Sequence, residues 1–302
     1  MSDTRPSHAH DGRPGAGVPH RHRGGMTPLD RNVIVDGVRI AYRCRGGDGL
    51  PLVLLHGTPS HSAIWRHVIP ELEAGGHSVL AYDLLGFGAS ERPVDRDTSV
   101  TAQARLLGEL LTTLGIGRCV LVAHDIGGAI GQIFATARPD RVDGLVLVDP
   151  VSYDSWPSRT WQHIIRDHLD DYAAMPPRDF EEMLTRQLRM TVTGEMADEV
   201  LETYLAPHRG PVGRVSFFEH QVRHYDSAPT ERVAPLLGEL PMPVRILWGE
   251  DDRWQPVAYG ERLASDIPHA ELVTVPGAGH FLMEDRPHRV AEEILRFASR
   301  PS

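Results

Sequence analysis

The stretch Val120-Leu121-Val122-Ala123-His124-Asp125-Ile126-Gly127-Gly128 constrains this chain more than any other. Its opening run of apolar residues, without polar alternation, reads as a short strand covered on both faces. The run ends in an aspartate and restarts as a glycine-rich helix, the shape of a strand–turn–helix elbow that presents a nucleophile. Such an elbow usually carries serine, and here it carries a carboxylate. A serine hydroxyl that attacked a saturated carbon would be trapped as an ether, whereas a carboxylate forms an ester that water reopens. Asp125 therefore points to displacement at sp3 carbon, followed by hydrolysis of an ester on the protein itself.

The rest of the chain suits an elbow of this kind. Short β-rich runs at 39–44, 51–55, 78–82, 120–123, 145–148, 244–248 and 271–275 alternate with helical patterns. That alternation is the signature of an α/β fold, a mostly parallel sheet with helices on both faces. The run at 39–44 reads as antiparallel, and the four- and five-residue runs read as strands buried on both faces. The alternation breaks between about 151 and 232, where amphipathic helical segments at 161–169, 180–188, 195–205 and 215–225 follow one another without a clear strand. Such an insertion, after the sixth strand of the sheet, lies over the carboxyl ends of the strands, where open α/β folds bind ligands. The expected organisation is a disordered tail at 1–25, a core at 26–150, a helical cap at 151–232 and the rest of the core at 233–302. The tail is rich in Gly, Pro, His and Arg, and its His8, His10, His20 and His22 lack a compact metal-ligand spacing.

Composition excludes several functions. Across 302 residues the formal net charge is −10, which disfavours a nucleic-acid partner, because binding phosphates needs a concentrated basic surface. All 31 basic residues are arginine, so a P-loop lysine, a Schiff-base lysine and a pyridoxal-phosphate anchor are ruled out. No cofactor and no metal is implied. No apolar stretch approaches the roughly 20 residues needed to cross a bilayer, and the N-terminus lacks a signal-peptide pattern. The expectation is a cytoplasmic protein without membrane attachment, whose partners are a small-molecule substrate and water. Cys44 and Cys119 read as reduced thiols, and no motif sets an oligomeric state.

Three further segments supply chemistry. Gly277-Ala278-Gly279-His280-Phe281 places an imidazole on a small-residue loop after the last strand, where it can reach the elbow and activate water. Trp248-Gly249-Glu250-Asp251-Asp252 follows the preceding strand, and an acid there holds the imidazole in the right tautomer. Spacing favours Asp252, with Glu250 and Asp251 close beside it and Asp149, after the sixth strand, as a second candidate. The chain order nucleophile, acid, histidine fits Asp125, Asp252 and His280. Leu55-His56-Gly57-Thr58-Pro59 ends the third strand, so the backbone N–H groups of Thr58 and Ile126 are the expected oxyanion donors. His56 and the glycine-containing loop at 83–90 read as structural.

Together the segments at 55–65, 83–93, 120–128, 248–256 and 277–284 resemble α/β-hydrolases of the haloalkane dehalogenase and epoxide hydrolase group. The resemblance spans nearly the whole chain after the tail, except the cap. It implies Asp125 as nucleophile, His280 as water-activating base, Asp252 as acid and Asp149 at an alternative acid position. Many dehalogenases hold the halide with a tryptophan after the nucleophile and an asparagine after the His-Gly pair. Ile126 and Thr58 stand there instead, and isoleucine offers a halide no side-chain N–H. The arginine that follows the nucleophile in fluoroacetate dehalogenases is also missing. Epoxide hydrolases protonate the opening ring with cap tyrosines. Of Tyr172, Tyr204 and Tyr225, the first and last are the best placed, while Tyr153, Trp156 and Trp161 are expected in the hinge or pocket wall. The favoured activity is cofactor-independent epoxide opening. Haloalkane dehalogenation comes next, with Trp156 or Trp161 replacing the halide donor. Ester or lactone hydrolysis with Asp125 as a base, and a non-catalytic ligand receptor, are the remaining readings.

Overall fold

The computed structural model describes residues 29–47 and 49–299, so the expected tail and its histidines lie outside the described residues. The chain begins with a hairpin, β1 (Arg31–Val35) and β2 (Val38–Arg45). Asp36 and Gly37 both take positive φ, 48° and 78°, as a two-residue type I′ turn requires. β1 adds a strand to the one expected at 39–44. There follow β3 (Leu52–Leu55), β4 (Val79–Tyr82), β5 (Cys119–His124), β6 (Val142–Val148), β7 (Val244–Gly249) and β8 (Glu271–Val275).

The sheet order is β1-β2-β4-β3-β5-β6-β7-β8. β2 is antiparallel to β1 and β4, and every later pairing is parallel. β3, β4, β5 and β7 are buried along their whole length, which suits their largely apolar sequences, with Arg245 in β7 and His124 at the end of β5 buried as well. β8 differs from the expectation of a strand covered on both faces: it forms the sheet edge, and only Val275 is buried. Its Glu271 and Thr274 already show that exposure in the sequence.

Helices α1 (Ile69–Ala74), α2 (Val100–Thr113) and α3 (Ile126–Ala137) connect the first strands. Ser99 caps α2, its side chain accepting the Ala102 N–H at 3.3 Å. Leu107, Leu110 and Leu111 give α2 a buried stripe at helical spacing. Between β6 and β7 the described residues form α4 (Arg159–Asp167), α5 (Leu169–Ala173), α6 (Pro177–Arg189), α7 (Asp198–Leu205), α8 (Gly210–Ser216) and α9 (Ala228–Val233), with no strand among them. The helix expected at 161–169 breaks at His168, where φ is −140°. That expected at 215–225 becomes the end of α8 and a π-helical turn, Phe217–Gln221. α10 (Ala258–Asp266), α11 (Leu282–Asp285) and α12 (Pro287–Ala298) complete the fold. No helix among the described residues is long and apolar enough to cross a membrane. Cys44 and Cys119 are both free thiols.

Candidate active site

The elbow forms where β5 runs into α3. Asp125 has φ 53° and ψ −121°, a conformation that L residues rarely adopt. The sharp turn needs small neighbours. A Cβ on Gly127 would lie 2.6 Å from the His56 carbonyl oxygen, and one on Gly57 would lie 2.3 Å from the Asp125 Cβ. Glycine at both positions lets the loop after β3 close onto the turn at Asp125. That loop is held by His56, whose Nδ1–H donates to Gly57 O (2.9 Å) while Nε2 accepts the Leu84 N–H (2.9 Å). Burial lowers the His56 pKa to about 4, so the ring stays neutral and keeps both roles. Asp83 likewise organises its own loop, accepting the N–H groups of Ser62 (2.8 Å) and Ala89 (2.7 Å).

The result is an asymmetric carboxylate. The Thr58 N–H donates to Asp125 Oδ1 at 2.7 Å, while Oδ2 lies 3.4 Å from His280 Nε2, too long for a well-formed hydrogen bond. His280 Nδ1 lies 2.8 Å from Asp252 Oδ2, and Asp252 Oδ1 accepts the N–H groups of Trp254 (2.7 Å) and Gln255 (3.0 Å). Among the three adjacent acids the structure thus brings Asp252 to the imidazole, whereas Glu250 takes the Thr274 hydroxyl (2.9 Å). Burial of Asp125 favours its neutral form, but the close approach and charge of His280, helped by His124 and the Thr58 N–H, outweigh it and lower its pKa. Burial also opposes the His280 imidazolium. The charge of Asp252 and the contacts with Asp125 overcome that cost and hold the His280 pKa well above the usual histidine value. Both shifts point the same way, toward a carboxylate on Asp125 and a proton on His280.

A cavity of about 280 Å³ opens onto Asp125, with Thr58, Trp156, Trp161, Tyr225 and Trp254 in its wall. Tyr225 is packed by the Trp156 ring, 4.4 Å away between centroids, and its hydroxyl lies 2.8 Å from Thr58 Oγ1. Thr58 Oγ1 in turn donates to Gln221 Oε1 at 3.0 Å. Burial, with the Asp125 charge adding to it, pushes the Tyr225 phenol well above its ordinary pKa, so it keeps its proton.

Three expected residues are elsewhere. Tyr172 does not line this cavity: Arg214 of α8 holds the end of α5 through the carbonyls of Ala173 and Met175, and Tyr172 packs half-buried beside the core. Tyr153 is also outside the wall, donating to Asp266 Oδ2 (2.8 Å) with the Arg262 guanidinium over its ring. Tyr204 is buried against Glu284 and Arg66.

Sequence reasoning missed Gln221, Trp254 and His124. The first arrives through a π-helical turn that has no periodicity signal, and Trp254 stands beside the His280 ring at 5.1 Å. His124 donates Nε2–H to His280 O (2.9 Å), and burial lowers its pKa to about 3. Its place directly before Asp125 was the available signal.

The sequence profile of the alpha/beta hydrolase fold matches residues 51–287. The chain belongs to the α/β hydrolase fold family. Among curated relatives, a 2-hydroxy-6-oxononadienedioate/2-hydroxy-6-oxononatrienedioate hydrolase of Burkholderia vietnamiensis is 29% identical over 89% of this α/β hydrolase and 94% of its own length. Haloalkane dehalogenase 2 of Mycobacterium tuberculosis is 30% identical over 82% of the chain and 88% of its own. Among solved structures, an α/β hydrolase fold protein from Burkholderia ambifaria superposes with a TM-score of 0.84 at 35% identity, covering 90% of this chain and 99% of that one.

Proposed function

We propose that this α/β hydrolase opens an epoxide through a covalent ester on Asp125. The observation that carries the reading is the unequal treatment of the two carboxylate oxygens. Oδ1 is pinned by the Thr58 N–H, as the carbonyl oxygen of an ester would be, while Oδ2 makes no good hydrogen bond and keeps its lone pairs for attack.

The charges balance around a cycle. Asp125 Oδ2 attacks a ring carbon, the C–O bond breaks, and the alkoxide takes the Tyr225 proton. Ester formation removes the Asp125 charge beside His280, which weakens the imidazolium and releases its proton to restore the Tyr225 phenol. Neutral His280, held by Asp252, then takes a proton from water as the oxygen attacks the ester carbonyl. The developing oxyanion falls to the N–H groups of Thr58 and Ile126. Collapse breaks the ester C–O bond, the departing alkoxide takes the proton of the added hydroxyl, and the diol leaves a carboxylate on Asp125 beside protonated His280. Small-molecule substrate and water are the only partners this cycle needs.

Dehalogenation is the second reading, favoured by Trp156 and Trp161 in the cavity wall and by the dehalogenase relative. A halide leaves without a proton and would draw on indole N–H donors rather than on Tyr225.

Single turnover in heavy-oxygen water tests the common core. The label is expected in Asp125, because water attacks the ester carbonyl. Label found only in product in the first turnover would mean direct water attack and would remove the covalent step. A panel of epoxides, alkyl halides and esters then assigns the substrate class.

A further inference from the structure

The cavity over Asp125 contains a cation with no counter-charge. Arg253 and Asp125 are the charged residues among its described lining residues, and the rest of that wall is uncharged. Asp125 is already turned to the Thr58 N–H and to His280. The Arg253 side chain is exposed and makes no ion pair or hydrogen bond to the described residues. Gln255, two positions on, lines the same cavity and is 3% exposed. Neither end of its side-chain amide has a hydrogen-bond partner among the described residues. A buried amide left in that state is costly until a ligand or water supplies a partner. The backbone of Gln255 is fixed on both sides, its N–H donating to Asp252 Oδ1 (3.0 Å) and its carbonyl accepting the Trp248 Nε1–H (3.0 Å). Asp252 Oδ1 also takes the Trp254 N–H (2.7 Å), so the acid beside His280 holds the turn that carries Arg253, Trp254 and Gln255.

We propose that Arg253 and the Gln255 amide bind a carboxylate, and that the substrate is an amphipathic molecule whose apolar body carries this anionic end away from its reacting carbon. A guanidinium presents paired N–H donors that match the two oxygens of a carboxylate, and the amide Nε2–H adds another. Trp156, Trp161 and Trp254 give the apolar body a wall to pack on. Charge sets the direction of entry. The Asp125 carboxylate repels an anion from the reacting end of the cavity, while Arg253 attracts it at the other. With a formal net charge of −10 the chain as a whole does not draw anions in, so a local cation is needed to hold one. The inference names the substrate class, an epoxy acid, and rests on the proposed epoxide opening for the reacting end alone.

Calorimetric titration with two unreactive probes, hexanoate and hexanamide, tests the carboxylate end apart from the chemistry. The wild type should bind hexanoate about tenfold more tightly than hexanamide, the value expected of a charge-assisted contact. Arg253→Gln should bring that ratio to about one. Arg253→Lys should keep part of it, because an ammonium retains the charge but not the paired donors. Gln255→Leu should reduce it, and thermal unfolding checks that each variant folds. In turnover, an epoxide with a terminal carboxylate should have a lower KM than its amide at similar kcat. Hexanoate that fails to bind at millimolar concentration, a wild-type ratio below about threefold, or a ratio that survives Arg253→Gln overturns the proposal and leaves the covalent mechanism standing. Heavy-oxygen label absent from Asp125 would instead sink the epoxide reading, while the hexanoate ratio would still stand.

Discussion

The proposed mechanism requires that ester formation switch His280 from an imidazolium to a neutral base. The perturbation that isolates this switch is Asp125→Asn, which resembles the ester in removing the charge while keeping the shape. Asp125 Oδ2 lies 3.4 Å from His280 Nε2, and at an effective dielectric of about 20 two unit charges at that distance attract by about 5 kcal/mol. That interaction is large enough to move a titration midpoint by several pH units. Because an opposite charge favours the protonated ring, its loss must lower the His280 pKa. The assay is an NMR titration of the His280 ring nitrogens in the wild type and in Asp125→Asn. The wild-type ring should be protonated at neutral pH and the variant ring neutral. A midpoint that moved by less than about one pH unit, or moved upward, would refute the reasoning, since Asp252 alone would then set the protonation state.

Other expectations follow from the same geometry. Tyr225→Phe removes the only tyrosine hydroxyl in the wall among the described lining residues, and should lower kcat for an epoxide by roughly a hundredfold or more while sparing an alkyl halide. Equal losses on both would place Tyr225 in packing, not proton donation. Gly57→Ala puts a methyl group 2.3 Å from the Asp125 Cβ and 2.4 Å from Oδ1, and should cost on the order of 1–3 kcal/mol in urea unfolding along with most activity. Acid stability offers a further check through His208, which is buried, lies 2.9 Å from Pro59 O through Nε2, and has its pKa lowered to about 4 mainly by burial. The unfolded chain binds this proton first as pH falls, so the stability is present above the ordinary histidine value and is lost below it. His208→Gln should therefore lessen the loss between about pH 7.5 and about pH 5 by roughly 2 kcal/mol, read from urea midpoints.

The match between sequence and structure follows the range of the interactions involved. Residues 120–123 read as a doubly covered strand, and β5 is one, because an unbroken apolar run has only one stable use at that length. The described residues between β6 and β7 form helices and no strand, although the segments expected at 161–169 and 215–225 depart from regular α-helix. The π-helical turn at Phe217–Gln221 escaped notice because its spacing matches no regular repeat. Tyr172 and Tyr225 look alike along the chain, but the contacts of α5 with α8 keep one out of the cavity while Trp156 and Thr58 hold the other in it.

What the sequence determined by itself was local and chemical: a carboxylate at a strand–helix elbow, an imidazole and acids after later strands, and the alternation that builds the sheet. Tertiary structure decided which of Glu250, Asp251 and Asp252 meets His280 and which tyrosine reaches the cavity. Those outcomes depend on distances between groups far apart in the chain and on how completely water is excluded around them. Neither quantity exists until the sheet and its helical insertion have packed.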